Sequence, residues 1–257
     1  MSNPNRTSYN GPPLSGPGIM WVNSAPRSQL DEAVFNQWYQ TVHIPDIIAA
    51  TPSNSPGCTA AWRFRSSDNS RKRPHLAIYN VPDMSFIESA EFKSISQHSE
   101  LLPESGPSQD YINFDTRFYQ QVQVFTKPEV SGIEDGSGEM GKVIKSTAIQ
   151  PEAGMGGELD RWYRQEHLEQ ISQLPGWRRS KRYELIFKVQ SKNDPDAEKA
   201  PKHLAIHEFK EGIDVKGMAK DEWTAWTRRV IEHSTSIDEG VFELVWECKK
   251  NDVTSST

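Results

Sequence analysis

The chain has 257 residues, with 29 Lys and Arg against 35 Asp and Glu and a formal net charge of −6. A chain of that length buries a sizeable core without staples, and two cysteines cannot build a disulfide framework, which points to a reducing, cytoplasmic setting. The acidic balance, a mean hydropathy of −0.71 and the lack of any 18-residue apolar run argue against nucleic acid or membrane as partner.

Residues 1–17 are rich in Pro, Gly, Asn and Ser, lack an apolar signal core, and read as a disordered tail. Ile19–Asn23 reads as a strand. Ser28 and Asp31 have capping-box spacing, and Phe35, Trp38, Tyr39 and Val42 then recur at helical spacing. Pro45 is expected to end that helix near His43. Ala60, Trp62 and Phe64 alternate with Ala61, Arg63 and Arg65 as a half-buried strand. His75–Val81 reads as a third strand, Met84–His98 as a second helix and Arg117–Thr126 as a fourth strand. Residues 129–140 lie in a Gly-, Ser- and acid-rich stretch from Lys127 to Gly141 and read as a linker.

Beyond the linker the pattern returns. Strands are expected at Val143–Ile149, Trp177–Val189, His203–Phe209 and Val241–Cys248, with helices at Gly157–Leu174 and Lys220–Glu232. Trp38-Tyr39-x-x-x-His43 recurs as Trp162-Tyr163-x-x-x-His167 at offset 124, and Pro56-Gly57 recurs as Pro175-Gly176 at offset 119. His75-Leu-Ala-Ile-Tyr79 recurs as His203-Leu-Ala-Ile-His207 at offset 128. Three matches in one order imply two copies of one unit, at 18–128 and 141–250, followed by a polar tail at 251–257. Each copy reads βαββαβ, the ferredoxin-like pattern. The expected fold class is therefore α+β, two tandem ferredoxin-like units closing an intrachain barrel by packing sheet on sheet.

The paired Trp-Tyr-x-x-x-His helices, with His43-Ile-Pro45-Asp46, make the chain resemble the EthD-like branch of the dimeric α+β barrel superfamily. The second copy departs from the His-x-Pro stretch, with His167-Leu-Glu169-Gln170 in its place. The resemblance covers nearly all of the chain outside tails and linker. It implies one of several activities: cofactor-free monooxygenase, polyketide cyclase, muconolactone-type isomerase, fungal decarboxylase or dehydratase, with haem in some members. Fold alone does not choose among these.

Tyr39 and His43 are four residues apart, as are Tyr163 and His167, so each pair shares a helix face with its Trp. A neutral imidazole there suits a general base for a weakly acidic C–H or O–H. The competing reading is a core histidine that fixes helix to sheet. His43, at an expected helix C-terminus whose dipole favours imidazolium, is the foremost base, with His167 as its counterpart. Tyr39, Tyr163, Tyr79 or His207 would donate to a developing enolate or phenolate oxygen. His75 and His203 share strand faces with Tyr79 and His207. Phe35, Trp38, Trp62 and Trp162 would line an apolar pocket. Glu166 stands where the first copy has Val42, either beside the substrate or simply solvated.

His203 and His207 lie ~13 Å apart along a strand, too far to share an ion, so no metal is expected. No cofactor is expected either, the remaining alternative being haem on a histidine. The run Arg178, Arg179, Lys181 and Arg182 reads as a solvated strand face. Trp177, Trp223, Trp226 and Trp246 would fill the second copy and leave the first as the larger site. The reading is a lyase, cyclase or isomerase for a small aromatic or polyketide-like substrate in secondary metabolism. A cofactor-free monooxygenase and a non-catalytic binding protein are the alternatives. Either a monomer or a homodimer is compatible with a sheet contact supplied within one chain.

Overall fold

A computed structural model of the chain describes residues 9–127, 139–190, 200–215 and 222–254. The expected tail ends at 1–8 and 255–257, most of the linker and Lys220 lie outside the described residues. The first half runs β1 (Gly18–Pro26), α1 (Glu32–Trp38), a π-helical turn (Tyr39–His43), α2 (Ile44–Ala49), β2 (Ala60–Ser66) and β3 (His75–Val81). It continues through a 3-10 turn (Met84–Glu88), α3 (Ala90–Ser94), α4 (Ser108–Tyr111) and β4 (Ile112–Phe125). The second half runs β5 (Val143–Pro151), α5 (Gly156–Trp162), a second π-helical turn (Tyr163–His167), α6 (Leu168–Ser172), β6 (Trp177–Gln190), β7 (His203–Phe209), α7 (Ala225–Glu232), β8 (Ser234–Lys249) and α8 (Lys250–Thr254).

The fold is α+β. Its eight strands hydrogen-bond in the order β1-β3-β2-β8-β5-β7-β6-β4 as a closed antiparallel barrel. By compactness the described residues divide into one unit of residues 9–121, 186–190 and 244–254, and another of residues 122–127, 139–185, 200–215 and 222–243. No single cut separates them, because β6 and β8 each contribute residues to both.

In the first unit β3 pairs with β1 and β2, and β1 pairs with β4. One face of these strands carries Met20, Val22, Ala61, Ala77, Tyr79 and Phe118, buried with Phe35, Trp38, Tyr39 and Ile44 of the helical segment. The other face is not purely apolar: in register Trp21 lies beside Ile78 and Arg117, and Asn23 beside Leu76 and Asp115. Arg117 and Asp115 form a buried ion pair at 2.6 Å there. In the second unit β7 pairs with β5 and β6, and β5 with β8. Ile149 and Ala205 pack with Leu159, Trp162, Tyr163 and Leu168.

Five local readings need correction. Pro45 does not end its helix; the chain continues through α2, with Pro45 in the first turn. The π turn makes room, since Ile44 N–H reaches back five residues to the Tyr39 carbonyl, so no helix C-terminus exists at His43. The helix expected at Met84–His98 is broken at Ser89, whose extended backbone and side-chain bond to Phe92 N–H start the short α3 afresh. The cap of α1 is Asp31 itself, accepting from Ala33 N–H at 2.7 Å, rather than Ser28. α7 starts after Thr224, whose hydroxyl accepts from Thr227 N–H. Trp246 packs with the first unit's core, not the second's.

Candidate functional site

The two Trp-Tyr-x-x-x-His segments form clusters of nearly the same geometry. Trp38 stacks on His43 at 4.5 Å between ring centroids and 16° between planes; Trp162 stacks on His167 at 4.3 Å and 22°. Tyr39 and Tyr163 meet the same histidines edge-on at 5.5 and 5.4 Å. Trp and His are five residues apart, a spacing that an α-helix splays by ~140° and a wider π turn brings together. In the second unit no proline follows, yet Leu168 N–H still reaches the Tyr163 carbonyl. The π turn therefore accompanies the shared motif and not Pro45.

Each cluster is closed by a buried arginine that alternation alone assigns to solvent. Arg63 on β2 is 1% exposed, lies over the Tyr39 ring at 4.6 Å and donates to Asn36 Oδ1 at 2.9 Å. Arg182 on β6 is 4% exposed, lies over the Tyr163 ring at 4.3 Å and pairs with Asp160 at 2.9 Å. The solvated reading of the basic run fails here, and again at Arg179, whose side chain meets Glu208 at 2.7 Å in a fully buried pair. One signal was available in the sequence: Arg63 and Arg182 recur at offset 119, as the Pro-Gly pairs do. Burial of the phenols pushes Tyr39 up to about 12, and Tyr163 upward as well, so both stay protonated donors.

The third strands place the remaining candidates. His75 packs on Phe35 at 4.7 Å, and its Nε2 accepts from Arg65 Nη1 at 2.6 Å, with the Glu32 carboxylate 3.3 Å away. Burial, then the charges of Arg65 and Arg63, push it down to about 3. It is 5% exposed. Tyr79 joins the helix-facing core. Trp62, in register with Ile78, lies on the opposite face from the histidine cluster and is not brought to it. His203 is beside Glu184 at 3.6 Å.

His207 lies on β7 in the second unit. It is fully buried, its ring is 5.6 Å from that of His167, and its Nδ1 is 2.8 Å from Ser180 Oγ. Ser180 Oγ also accepts from Trp177 Nε1 at 3.0 Å. Residues three apart on a regular strand point to opposite faces; the register shift between Trp177 and Arg179 puts Trp177 and Ser180 on one side. Lys145 on β5 is the cross-strand partner of His207. Burial pushes His167 down to about 3, with the nearby charges of Lys145 and Arg182 adding to it. Burial pushes His207 well down too, helped by His167 and Lys145. Both imidazoles are therefore neutral near pH 7.

The two clusters differ at this row. Where the second unit aligns Lys145, His207 and Ser180, the first aligns Met20, Tyr79 and Ala61. Glu166 accepts from Trp162 Nε1, Thr224 Oγ1 and Thr227 Oγ1 at 3.2, 2.6 and 3.1 Å, tying the π turn to α7. It is thus neither free in solvent nor aimed at the histidines. Among the described residues no three His, Cys, Asp or Glu side chains gather as a metal set, and no helix is long and apolar enough to cross a membrane.

No family model matches the chain. It is 25% identical over 209 residues to "Core atranone cluster (CAC) protein 1" of Stachybotrys chlorohalonatus, covering 75% of this chain and 82% of that protein. Among solved structures, an anthrone oxidase-like protein superposes with a TM-score of 0.55 at 12% identity, covering 91% of this chain and 93% of its own. A protein provisionally assigned as a monooxygenase from Fusobacterium nucleatum superposes with a TM-score of 0.50 at 10% identity, covering 92% and 95%. These likenesses concern the fold alone.

Proposed function

We propose that the protein is a cofactor-independent enzyme of secondary metabolism that takes a weakly acidic proton from a small aromatic or polyketide-like molecule. The two βαββαβ copies are read as a tandem, EthD-like duplication in which the second copy carries the chemistry. One observation carries this choice: two neutral, buried imidazoles, His167 and His207, face each other, whereas the first unit has Tyr79 at the position that matches His207. His167 makes no hydrogen bond among the described residues, and its buried Nδ1 is without a partner.

In the reaction so read, His167 accepts the proton from carbon or phenol. Its low proton affinity belongs to a site without substrate; a developing enolate beside it raises that affinity, so transfer and charge development assist each other. His207 and Tyr163 hold the oxygen on which negative charge appears. Trp162 presents the apolar wall. The deprotonated intermediate then loses a group, cyclises or is reprotonated elsewhere, giving lyase, cyclase or isomerase chemistry.

Oxygenation of the same intermediate by dioxygen is the second reading, and the likeness to an anthrone oxidase-like protein favours it. Kinship with a protein of the atranone cluster supports the secondary-metabolism setting. Dioxygen uptake measured alongside product formation, with aromatic ketones of acidic methylene as substrates, tests the first reading. Turnover without uptake supports it, and stoichiometric uptake replaces it with the second.

A further inference from the structure

Ser180 Oγ takes the Trp177 indole N–H on one lone pair, and the only other group within its reach among the described residues is His207 Nδ1. Two arrangements are possible. If the Ser180 hydroxyl donates to Nδ1, the ring proton sits on Nε2 and one buried group, Nε2–H, lacks a partner. If Nδ1–H donates to Ser180, both the serine hydroxyl proton and the Nε2 lone pair are left unsatisfied. Buried polar groups without partners are costly, so the first arrangement prevails.

His207 Nε2 is indeed a buried atom with no hydrogen-bond partner. The Trp177–Ser180 pair thus holds a neutral imidazole with a bare N–H donor inside the second unit. Next to it in the cross-strand direction stands Lys145, only partly exposed and with no carboxylate paired to it among the described residues. Directly opposed residues on antiparallel strands project to the same face. An N–H donor and an ammonium that share a face suit an oxygen anion, the carboxylates in register on that face, Glu239 and Glu243 of β8, being exposed to solvent.

We infer that His207 Nε2–H and Lys145 form an oxyanion-binding site for the enolate or phenolate oxygen of a carbonyl or phenol ligand, with Ser180 and Trp177 as positioning residues that set the His207 tautomer. This rests on the second unit being the reactive one. It adds the ligand class, an ionised oxygen on a conjugated ring or carbonyl, and separates the roles of the two histidines. His207 donates, while His167 is left to accept.

Two measurements on the full-length protein test this without turnover. In protein labelled with 15N-histidine, His207 is expected to show the Nε2–H tautomer, and Ser180→Ala to collapse that preference into a mixture. Trp177→Phe keeps the ring packing and is expected to weaken the preference in the same direction, should Ser180→Ala not fold. In the second measurement 4-nitrophenol is the probe. The wild type is expected to bind the phenolate about tenfold more tightly than the phenol, a drop of about one unit in the probe's apparent pKa. Lys145→Gln is expected to abolish the drop.

An Nδ1–H tautomer in the wild type, or equal binding of phenol and phenolate, overturns the inference. A fixed tautomer and anion preference in a protein that moves no proton would uphold the site and remove the proposed chemistry. Proton transfer that survives with no anion preference would do the reverse.

Discussion

Acid should weaken the fold by a calculable amount through His167. In the unfolded chain this imidazole takes up a proton near 6.5, whereas burial in the native state pushes it down to about 3. Below 6.5 the unfolded state therefore binds a proton that the native state refuses, and stability falls with pH until the folded value is reached. Between pH 7 and pH 5 the loss from this one group is about 2 kcal/mol, because at pH 5 the unfolded imidazole is almost wholly charged and the native one is not. The figure barely depends on the folded value, provided that it lies well under 5. Urea unfolding of wild type and His167→Gln at both pH values isolates it, since His75 and His207, also pushed down, contribute to both proteins. The variant should lose about 2 kcal/mol less than the wild type over that interval. Parallel losses would show that His167 takes up protons freely in the folded protein, and the neutral pair would be refuted.

Other consequences follow from the buried charges and turns. Arg179→Met strands the Glu208 carboxylate and should cost about 3–5 kcal/mol in urea unfolding at pH 7, while adding Glu208→Gln should recover most of that. Gly57 has φ of +66 and a Cβ there would sit 3.3 Å from the Thr51 backbone, so Gly57→Ala should cost about 1–2 kcal/mol by the same measurement. His43→Gln should leave turnover within a few-fold of wild type, because Met20, Tyr79 and Ala61 give the first unit no second imidazole and no cation at the matching row. A loss comparable to that of His167→Gln would move the reaction to the first unit.

Much of the frame was legible in the sequence because it rests on periodicity. Period-2 alternation marks β3 and β7, and the recurrence of the Trp-Tyr-x-x-x-His and His-Leu-Ala-Ile segments brings out two like clusters. What escaped involved departures from ideal periods. A 3.6-residue wheel pairs Tyr39 with His43 but hides the Trp38–His43 stack, which needs the wider π turn. Strict alternation likewise separates Trp177 from Ser180, and only the register shift unites them. Arg63 and Arg182 were hidden for a different reason. Charge on a strand normally signals solvent, and these two are buried by an aromatic ring and a polar partner that lie far away in sequence.

The central claim is that His167 takes a proton from a weakly acidic carbon without a cofactor, a step shared by the lyase, isomerase and oxygenase readings. Proton–deuterium exchange at the acidic methylene of aromatic ketones and 1,3-dicarbonyls, followed by NMR in D2O under anaerobic conditions, isolates that step from everything after it. The wild type should accelerate exchange, and His167→Gln should slow it by about 10²–10⁴-fold while remaining folded. Exchange that is equally fast with the variant, or no acceleration by the wild type across the panel, would contradict the account.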